Sequence, residues 1–408
     1  MSGREPLGVA DETVGVYLHV PFCERVCPYC DFAVVAARRL AAADEEAYVA
    51  ALLAELAARA PLFAGRALDT IYLGGGTPAL LRPESIARLI AGIRGAFPGA
   101  PREVTLEANP STLERERLPG FRAAGVDRLS LGVQSFDDGA LKRLGRAHRA
   151  DEAHAALAAA RAAGFANVSL DLIVGAPGQT SVGLARDLDA ALAFGPEHVS
   201  AYALTLEAGT PFAVAAGDGR LVVPDDDEVA GWLEHVHERL EAAGLARYEV
   251  SSWARPGREA VHNQRDWRRA PVLGLGVGAH STEPASAAAP FGARSANERD
   301  LAAWRLRIEQ GGGGEPPARE APGAATARGE AAFLALRTRR GLDAARFAAE
   351  FGAPPRQFFA AAIDELVGLG LIAESAAGDL APTARSWLFA DTLGAYFVAA
   401  PVDSARSA

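Results

Sequence analysis

Cys23, Cys27 and Cys30 are the only cysteines in a chain of 408 residues, and all three fall in one run, Cys23-Glu-Arg-Val-Cys27-Pro-Tyr-Cys30. Thiols gathered this way, and avoided elsewhere, build one metal site. Three thiolates leave a tetrahedral metal one ligand short, so an iron–sulfur cluster held by them keeps one iron open for chemistry. A disulfide framework wants an even count and an oxidising compartment. Structural zinc wants a fourth ligand; no histidine follows at finger spacing, although His19 lies four residues upstream. The spacing favours a cluster.

A second set of groups lies downstream. Gly74-Gly75-Gly76-Thr77-Pro78 follows an apolar run and precedes a helical one, and glycines there let the backbone approach a neighbour closely or take positive φ. Glu107, Gln134, Arg146 and Asp171 each interrupt or end a hydrophobic stretch. A charge inside an apolar strand is costly unless it is paired or binds a ligand. Asp171, between Leu170 and Leu172, carries that cost most plainly. Two readings stay open: a ligand site, or an internal ion pair of Arg146 with Glu107 or Asp171.

The elements that position these groups follow from periodicity. Val14–Val20, Leu68–Leu73, Glu103–Ala108, Arg128–Gln134, Asn167–Val174 and His198–Leu206 read as strands, dense in β-formers and bounded by Gly, Pro, Asn or charge. Helical stretches alternate with them; in 225–244, Val229, Trp232, Leu233, Val236 and Leu240 share one face. Six strand–helix units predict a parallel sheet, and six is short of the eight of a closed barrel, so the expected fold is α/β, a partial (β/α)6 barrel. Chemistry in such barrels gathers at the C-terminal ends of the strands, where the cysteines, the glycines, Glu107 and Gln134 all fall.

Residues 14–282 are expected to form the barrel and its extension. Residues 283–325, rich in Ala, Gly and Pro, read as a linker or flexible insertion. Residues 326–408 read as a small winged-helix-like domain, with helices at Phe333–Leu336, Leu342–Phe351 and Gln357–Leu369 and a hairpin at Leu371–Glu374 and Asp379–Pro382. A formal charge of −10 argues against a nucleic-acid footprint and for a structural or partner-docking role for that domain. Half of the residues are hydrophobic, yet no apolar run reaches the ~18–20 needed to span a bilayer. The N-terminus has no signal-peptide h-region, and with three thiols this predicts a cytoplasmic protein, with peripheral membrane contact left open.

Several motifs together are specific. Tyr17-Leu-His19-Val-Pro-Phe-Cys23, Cys27-Pro-Tyr-Cys30-Asp31-Phe32, the Gly-Gly-Gly-Thr-Pro run, Leu129–Phe136, Leu144–His148 and Asp171–Thr180 resemble the oxygen-independent coproporphyrinogen III oxidase group of radical S-adenosylmethionine (SAM) proteins. Two branches of that group differ at one place: the oxidase branch, HemN, carries a fourth cysteine where this chain has Phe32, which matches the HemW branch of haem chaperones. The resemblance implies that Cys23, Cys27 and Cys30 hold a [4Fe–4S] cluster whose open iron chelates SAM. It places Tyr17, Gly75, Gly76, Thr77, Glu107, Gln134, Arg146, Asp171 and Ala203 around the cofactor. One electron from the reduced cluster would cleave the sulfonium to a 5′-deoxyadenosyl radical.

The resemblance also implies haem as cargo, with His262 as a ligand, in a stretch that reads His262-Asn263-Gln264-Arg265-Asp266-Trp267 with Asp266 in place of the tyrosine usual to the family. His280, in a glycine-rich run where Val272 replaces another tyrosine, is a weaker candidate. The implied partners are haem-accepting proteins such as respiratory enzymes, soluble or at the membrane, and an electron donor; a homodimer is compatible. Three other readings compete: coproporphyrinogen decarboxylation, radical chemistry on an unrelated substrate, and a winged-helix regulator sensing cluster status.

Overall fold

The computed structural model describes residues 8–398. Its centre is six parallel strands, β1 (Thr13–Val20), β2 (Ala67–Gly75), β3 (Glu103–Ala108), β4 (Arg128–Gln134), β5 (Val168–Val174) and β6 (His198–Ala203), each bonded to the next in chain order. Such neighbours need crossovers, and helices α1 (Ala42–Arg59), α2 (Pro83–Ala96), α3 (Thr112–Ala123), α4 (Ala150–Ala162) and α5 (Ser181–Phe194) supply them. Helix α6 (Asp226–Ala242) follows β6. The register aligns apolar residues across strands, with Val16 beside Ile71, Ile71 beside Val104, and Leu170 beside both Leu131 and Val199. These side chains are buried, so the strands are fixed by a continuous core that leaves their C-terminal ends free for polar groups.

The barrel is open, and each edge is extended. Beyond β1 the sheet runs through Val272–Leu275, which is parallel to β1, and then through antiparallel His280–Glu283, Ala293–Ala296 and Ala318–Glu320. Beyond β6 it runs through Ser252–Ala254 and Ala246–Glu249. Residues 283–325, read from sequence as a linker or flexible insertion, carry regular elements of this sheet and its cover. Two of these strands lie in that stretch, and helix Leu301–Glu309 packs on α1 with Trp304 fully buried. The Trp304 ring lies 5.1 Å from that of Tyr48 and its indole N–H donates to Glu55 at 3.2 Å. Even the glycine run closes on α1: Gly313 is buried, and a Cβ on it would stand 3.4 Å from Ala58. Small residues are what such close packing requires, and in sequence they look like low complexity.

The C-terminal part has its own core. Helices Ala324–Ala335, Ala344–Phe351 and Pro355–Gly368 and the hairpin Ile372–Glu374/Leu380–Pro382 enclose Leu336, Phe347, Phe359, Ile363 and Leu380. Leu342 makes one isolated antiparallel bridge to Leu380 beside the hairpin. A further helix, Ala390–Val398, absent from the sequence reading, buries Leu393 and Phe397 in the same core. Arg269 ties this part to the barrel by an ion pair with Glu350 at 2.9 Å. Among the described residues, no helix is long and apolar enough to cross a membrane.

Candidate functional site

The cysteine loop is anchored at its base. Phe22–Cys23 pairs with Val35–Ala36, and Ala37 N–H donates to the Cys23 carbonyl at 2.7 Å. Within the loop, Cys30 N–H bonds the Cys27 carbonyl at 3.1 Å, which folds the Cys27-Pro-Tyr-Cys30 segment into a turn. Thr77 Oγ1 reaches the Cys23 sulfur at 3.8 Å and Arg146 Nη1 the Cys27 sulfur at 3.5 Å. Burial pushes the Cys23 thiol up to about 11 and raises Cys30 too. Such thiols yield their protons when a metal takes the sulfur. No three His, Cys, Asp or Glu side chains among the described residues are gathered to hold a single metal ion. His19, the zinc alternative, has both ring nitrogens engaged, Nε2 with the Ala33 carbonyl at 2.9 Å and Nδ1 with the Tyr17 hydroxyl at 3.1 Å.

The end of β2 is laced to that base. Gly76 N–H donates to the Val20 carbonyl and Thr77 N–H to that of Phe22, both at 2.8 Å. Gly75 has φ 105°, and a Cβ on it would lie 2.5 Å from the His19 ring; one on Gly76 would lie 2.8 Å from backbone atoms of Val20 and Pro21. The glycines thus let β2 press against the cysteine loop, a close approach of protein to protein that also leaves their backbone facing the cavity.

Opposite the thiols stand two carboxyls. Glu107, near the end of β3, accepts from the Tyr72 hydroxyl at 2.6 Å and from Gly75 N–H at 3.0 Å. Burial, reinforced by the nearby Asp171 and opposed by the Tyr72 hydrogen bond, pushes it up to about 7. Asp171 on β5 accepts from Ser130 Oγ at 3.2 Å, and burial raises it as well. Neither carboxyl makes an ion pair among the described residues, so the internal pairing with Arg146 does not form. Arg146 instead donates to Asn109 Oδ1 and, at 2.9 Å, to the Gly132 carbonyl. Gln134 closes β4 with φ 65°, in the left-handed region that a glutamine adopts only when its surroundings impose it.

These groups enclose one cavity of about 660 Å³ at the C-terminal ends of the strands. Cys23, Cys27, Cys30, Gly75, Gly76, Thr77, Glu107, Gln134, Arg146, Asp171 and Ala203 all line it. Tyr17 does not: it is stacked on Tyr72 with ring centroids 6.0 Å apart, beneath the lining. His262 does not either. It is 4% exposed, its Nδ1 bonds Thr70 Oγ1 at 2.8 Å, and burial drives it down to about 3. In this arrangement it is a core residue, with no imidazole face toward the cavity. His280 is exposed at a strand start elsewhere. Tyr29, Asn109, Ser130 and Tyr202 line the cavity and were not singled out from sequence; the sequence signal available was position alone, Asn109 directly after an apolar strand and Ser130 between Leu129 and Leu131 within one. Phe32, 67% exposed, also lines it.

The donor set fits a cluster with SAM: three thiols at one wall of the cavity, and at its other walls Glu107 and Asp171, two carboxyls without an ion-pair partner among the described residues, which can meet an ammonium and a hydroxyl. Comparison with known proteins agrees. The Radical SAM superfamily profile matches residues 17–191, and the HemN C-terminal domain profile matches 325–389. Heme chaperone HemW of Mycobacterium tuberculosis is 46% identical over 267 residues, which are 65% of this chain and 68% of that one. The Bacillus subtilis protein of the same name is 34% identical over 363 residues, 88% of this chain and 92% of its own. Among solved structures, coproporphyrinogen III oxidase (HemN) from Escherichia coli superposes with a TM-score of 0.80 at 24% identity, covering 94% of this chain and 90% of that one, a likeness of fold.

Proposed function

The chain belongs to the HemW family of the radical SAM superfamily, and from that premise we propose that it binds haem and delivers it to haem-accepting proteins. The single observation that carries the branch within the fold is Phe32. It stands on the rim of the cavity where the oxidase branch has a fourth cysteine, and an exposed phenyl ring supplies neither a ligand nor a proton donor.

In this reading Cys23, Cys27 and Cys30 would hold the cluster, and the chemistry it would supply when bound and reduced is one electron for the sulfonium of SAM. The chain's own residues do the positioning. Glu107, held in place by Gly75 N–H, would receive the methionyl ammonium end, Gly76 lines the wall beside it, and Thr77 steadies Cys23. Asp171 faces the cavity from β5 with Ser130 as its hydrogen-bond partner, suited to a hydroxyl-bearing group. Arg146 offsets negative charge at Cys27 through its 3.5 Å contact with the sulfur. Ala203 and Gln134 shape the wall, and Tyr17 acts from beneath by fixing Tyr72, which in turn holds Glu107.

The test is anaerobic reconstitution with iron and sulfide, followed by separate assays for tight haem binding and for coproporphyrinogen III decarboxylation with SAM and reductant. Haem bound without decarboxylation supports the chaperone. Decarboxylation overturns it and returns the chain to the oxidase branch despite Phe32.

A further inference from the structure

The side-chain amide of Asn109 stands at the centre of a short hydrogen-bond chain that ends at two of the three thiols. Asn109 follows β3 directly, is half-buried and lines the barrel cavity. Its Nδ2 donates to Thr77 Oγ1 at 2.8 Å, and its Oδ1 accepts from Arg146 Nη2. Thr77 Oγ1 is 3.8 Å from the Cys23 sulfur, and Arg146 Nη1 is 3.5 Å from that of Cys27. Asn109 therefore reaches the two sulfurs only through Thr77 and Arg146.

The chemistry of the groups fixes the direction of this chain. A guanidinium only donates, so the amide atom that faces Arg146 is the oxygen. The NH2 group then faces Thr77, whose oxygen accepts from it. The one hydroxyl proton of Thr77 is left to point at the Cys23 sulfur. A flipped amide would set its NH2 against the guanidinium, donor to donor. The backbone beneath the amide is held as well. Asn109 N–H donates to Glu114 Oε2 at 2.5 Å, and Ser111 N–H donates to the Asn109 carbonyl at 2.8 Å. Glu114, buried in the first turn of α3, also accepts from Ser111 Oγ and donates its N–H back to that oxygen, both at 3.2 Å. The start of α3 thus locks the loop that carries Asn109. Arg146 has its second anchor in the Gly132 carbonyl.

We propose that Asn109 is a positioning residue for the cluster: it turns the Thr77 hydroxyl proton toward Cys23, holds the Arg146 guanidinium at Cys27, and by both makes the cluster easier to reduce. The proposal rests on the cluster reading above. Hydrogen bonds to the sulfurs and net charge are among the terms that set the potential of an iron–sulfur cluster. A donor or a cation beside a thiolate favours the state that holds one more electron. A side-chain amide suits the task because it offers an acceptor to Arg146 and a donor to Thr77 from one planar group; a carboxylate has no donor, and a hydrocarbon has neither.

The experiment is a redox titration, followed by electron paramagnetic resonance, of the full chain reconstituted with iron and sulfide and free of SAM. Asn109→Leu, similar in size but without the amide, should lower the equilibrium constant for cluster reduction about tenfold, which is about 59 mV for a one-electron couple. Iron per chain should not change. Thr77→Val alone should shift the constant in the same direction. Added to Asn109→Leu, it should change the constant less than twofold, because without the amide the hydroxyl no longer faces Cys23. Should Asn109→Leu load less than half of the wild-type iron, Asn109→Asp takes its place. That variant keeps an acceptor for Arg146 but gives Thr77 no donor, and it should lower the constant at least as far. A constant within twofold of wild type in an iron-loaded Asn109 variant, or effects of the Asn109 and Thr77 substitutions that simply add, overturns the proposal and leaves the cluster reading standing. A wild-type chain that takes up no iron overturns that reading too.

Discussion

Glu107→Gln should stabilise the chain and cripple the site. A carboxyl that titrates at about 7 in the fold and at 4.5 unfolded costs about 3 kcal/mol to keep ionised in the folded state. The sign follows from the two titrations. Below pH 4.5 the group is neutral in both states. Between 4.5 and 7 only the unfolded chain ionises, so wild-type stability falls as pH rises through that window and levels off above it. Glutamine has no such term. It keeps a carbonyl for the Tyr72 hydroxyl but presents no second acceptor to Gly75 N–H, a loss of about 1 kcal/mol. The variant should therefore exceed wild type by about 2 kcal/mol at pH 8 and match it near pH 5. Urea unfolding of the cluster-free protein at the two pH values, followed by tryptophan fluorescence, measures the gap. The same variant should bind SAM at least tenfold more weakly. A stability gap that does not change with pH, or a less stable glutamine variant at pH 8, would refute the claim that Glu107 is held against its ionisation.

Other substitutions test other parts. Gly76→Ala places a methyl group 2.8 Å from the backbone of Val20 and Pro21, and should cost about 2 kcal/mol or more and halve cluster loading, read as iron per chain. Gln134→Val, forcing a β-branched residue to φ 65°, should destabilise by about 1–2 kcal/mol, whereas Gln134→Gly should be neutral or slightly stabilising; both are read from urea midpoints. Trp304→Ala should cost about 3–5 kcal/mol, because the ring is fully buried against α1; a change under about 1 kcal/mol would mean that residues 283–325 are peripheral after all. Arg146→Ala should leave the brown chromophore in place but lower SAM affinity, since it removes a cation from beside Cys27 without touching a thiol.

The six barrel strands were legible because their period is strong and each carries buried Val, Leu or Ile on the core. The groups at their C-terminal ends were legible because a charge such as Asp171 between two leucines has no cheap explanation. Tyr17 shows the limit: its motif pointed to the site, but its side chain supports Tyr72 from below, and only packing reveals that. His262 shows another. A histidine in a suggestive stretch reads as a ligand, yet in three dimensions its neighbours are Tyr72, Thr70 and the strand cores. The flanking strands were hidden for a physical reason too. Val272–Leu275 and Ala293–Ala296 are four residues long, too short for periodicity to register, and they take their stability from register with β1 and its neighbours. A second cavity, of about 640 Å³ and lined by both the barrel and the C-terminal part, is assembled from residues more than two hundred positions apart, such as Arg102 and Phe347, which no local pattern connects.

Delivery is the centre of the proposed function, and it is measured by mixing haem-loaded protein with a haem-free b-type acceptor and following the Soret shift as acceptor concentration rises. A transfer rate that increases with acceptor concentration, and outpaces loss to a general haem scavenger, is the expected result for direct hand-off. A rate independent of the acceptor and equal to loss to the scavenger would mean that haem merely dissociates, and would contradict the chaperone function.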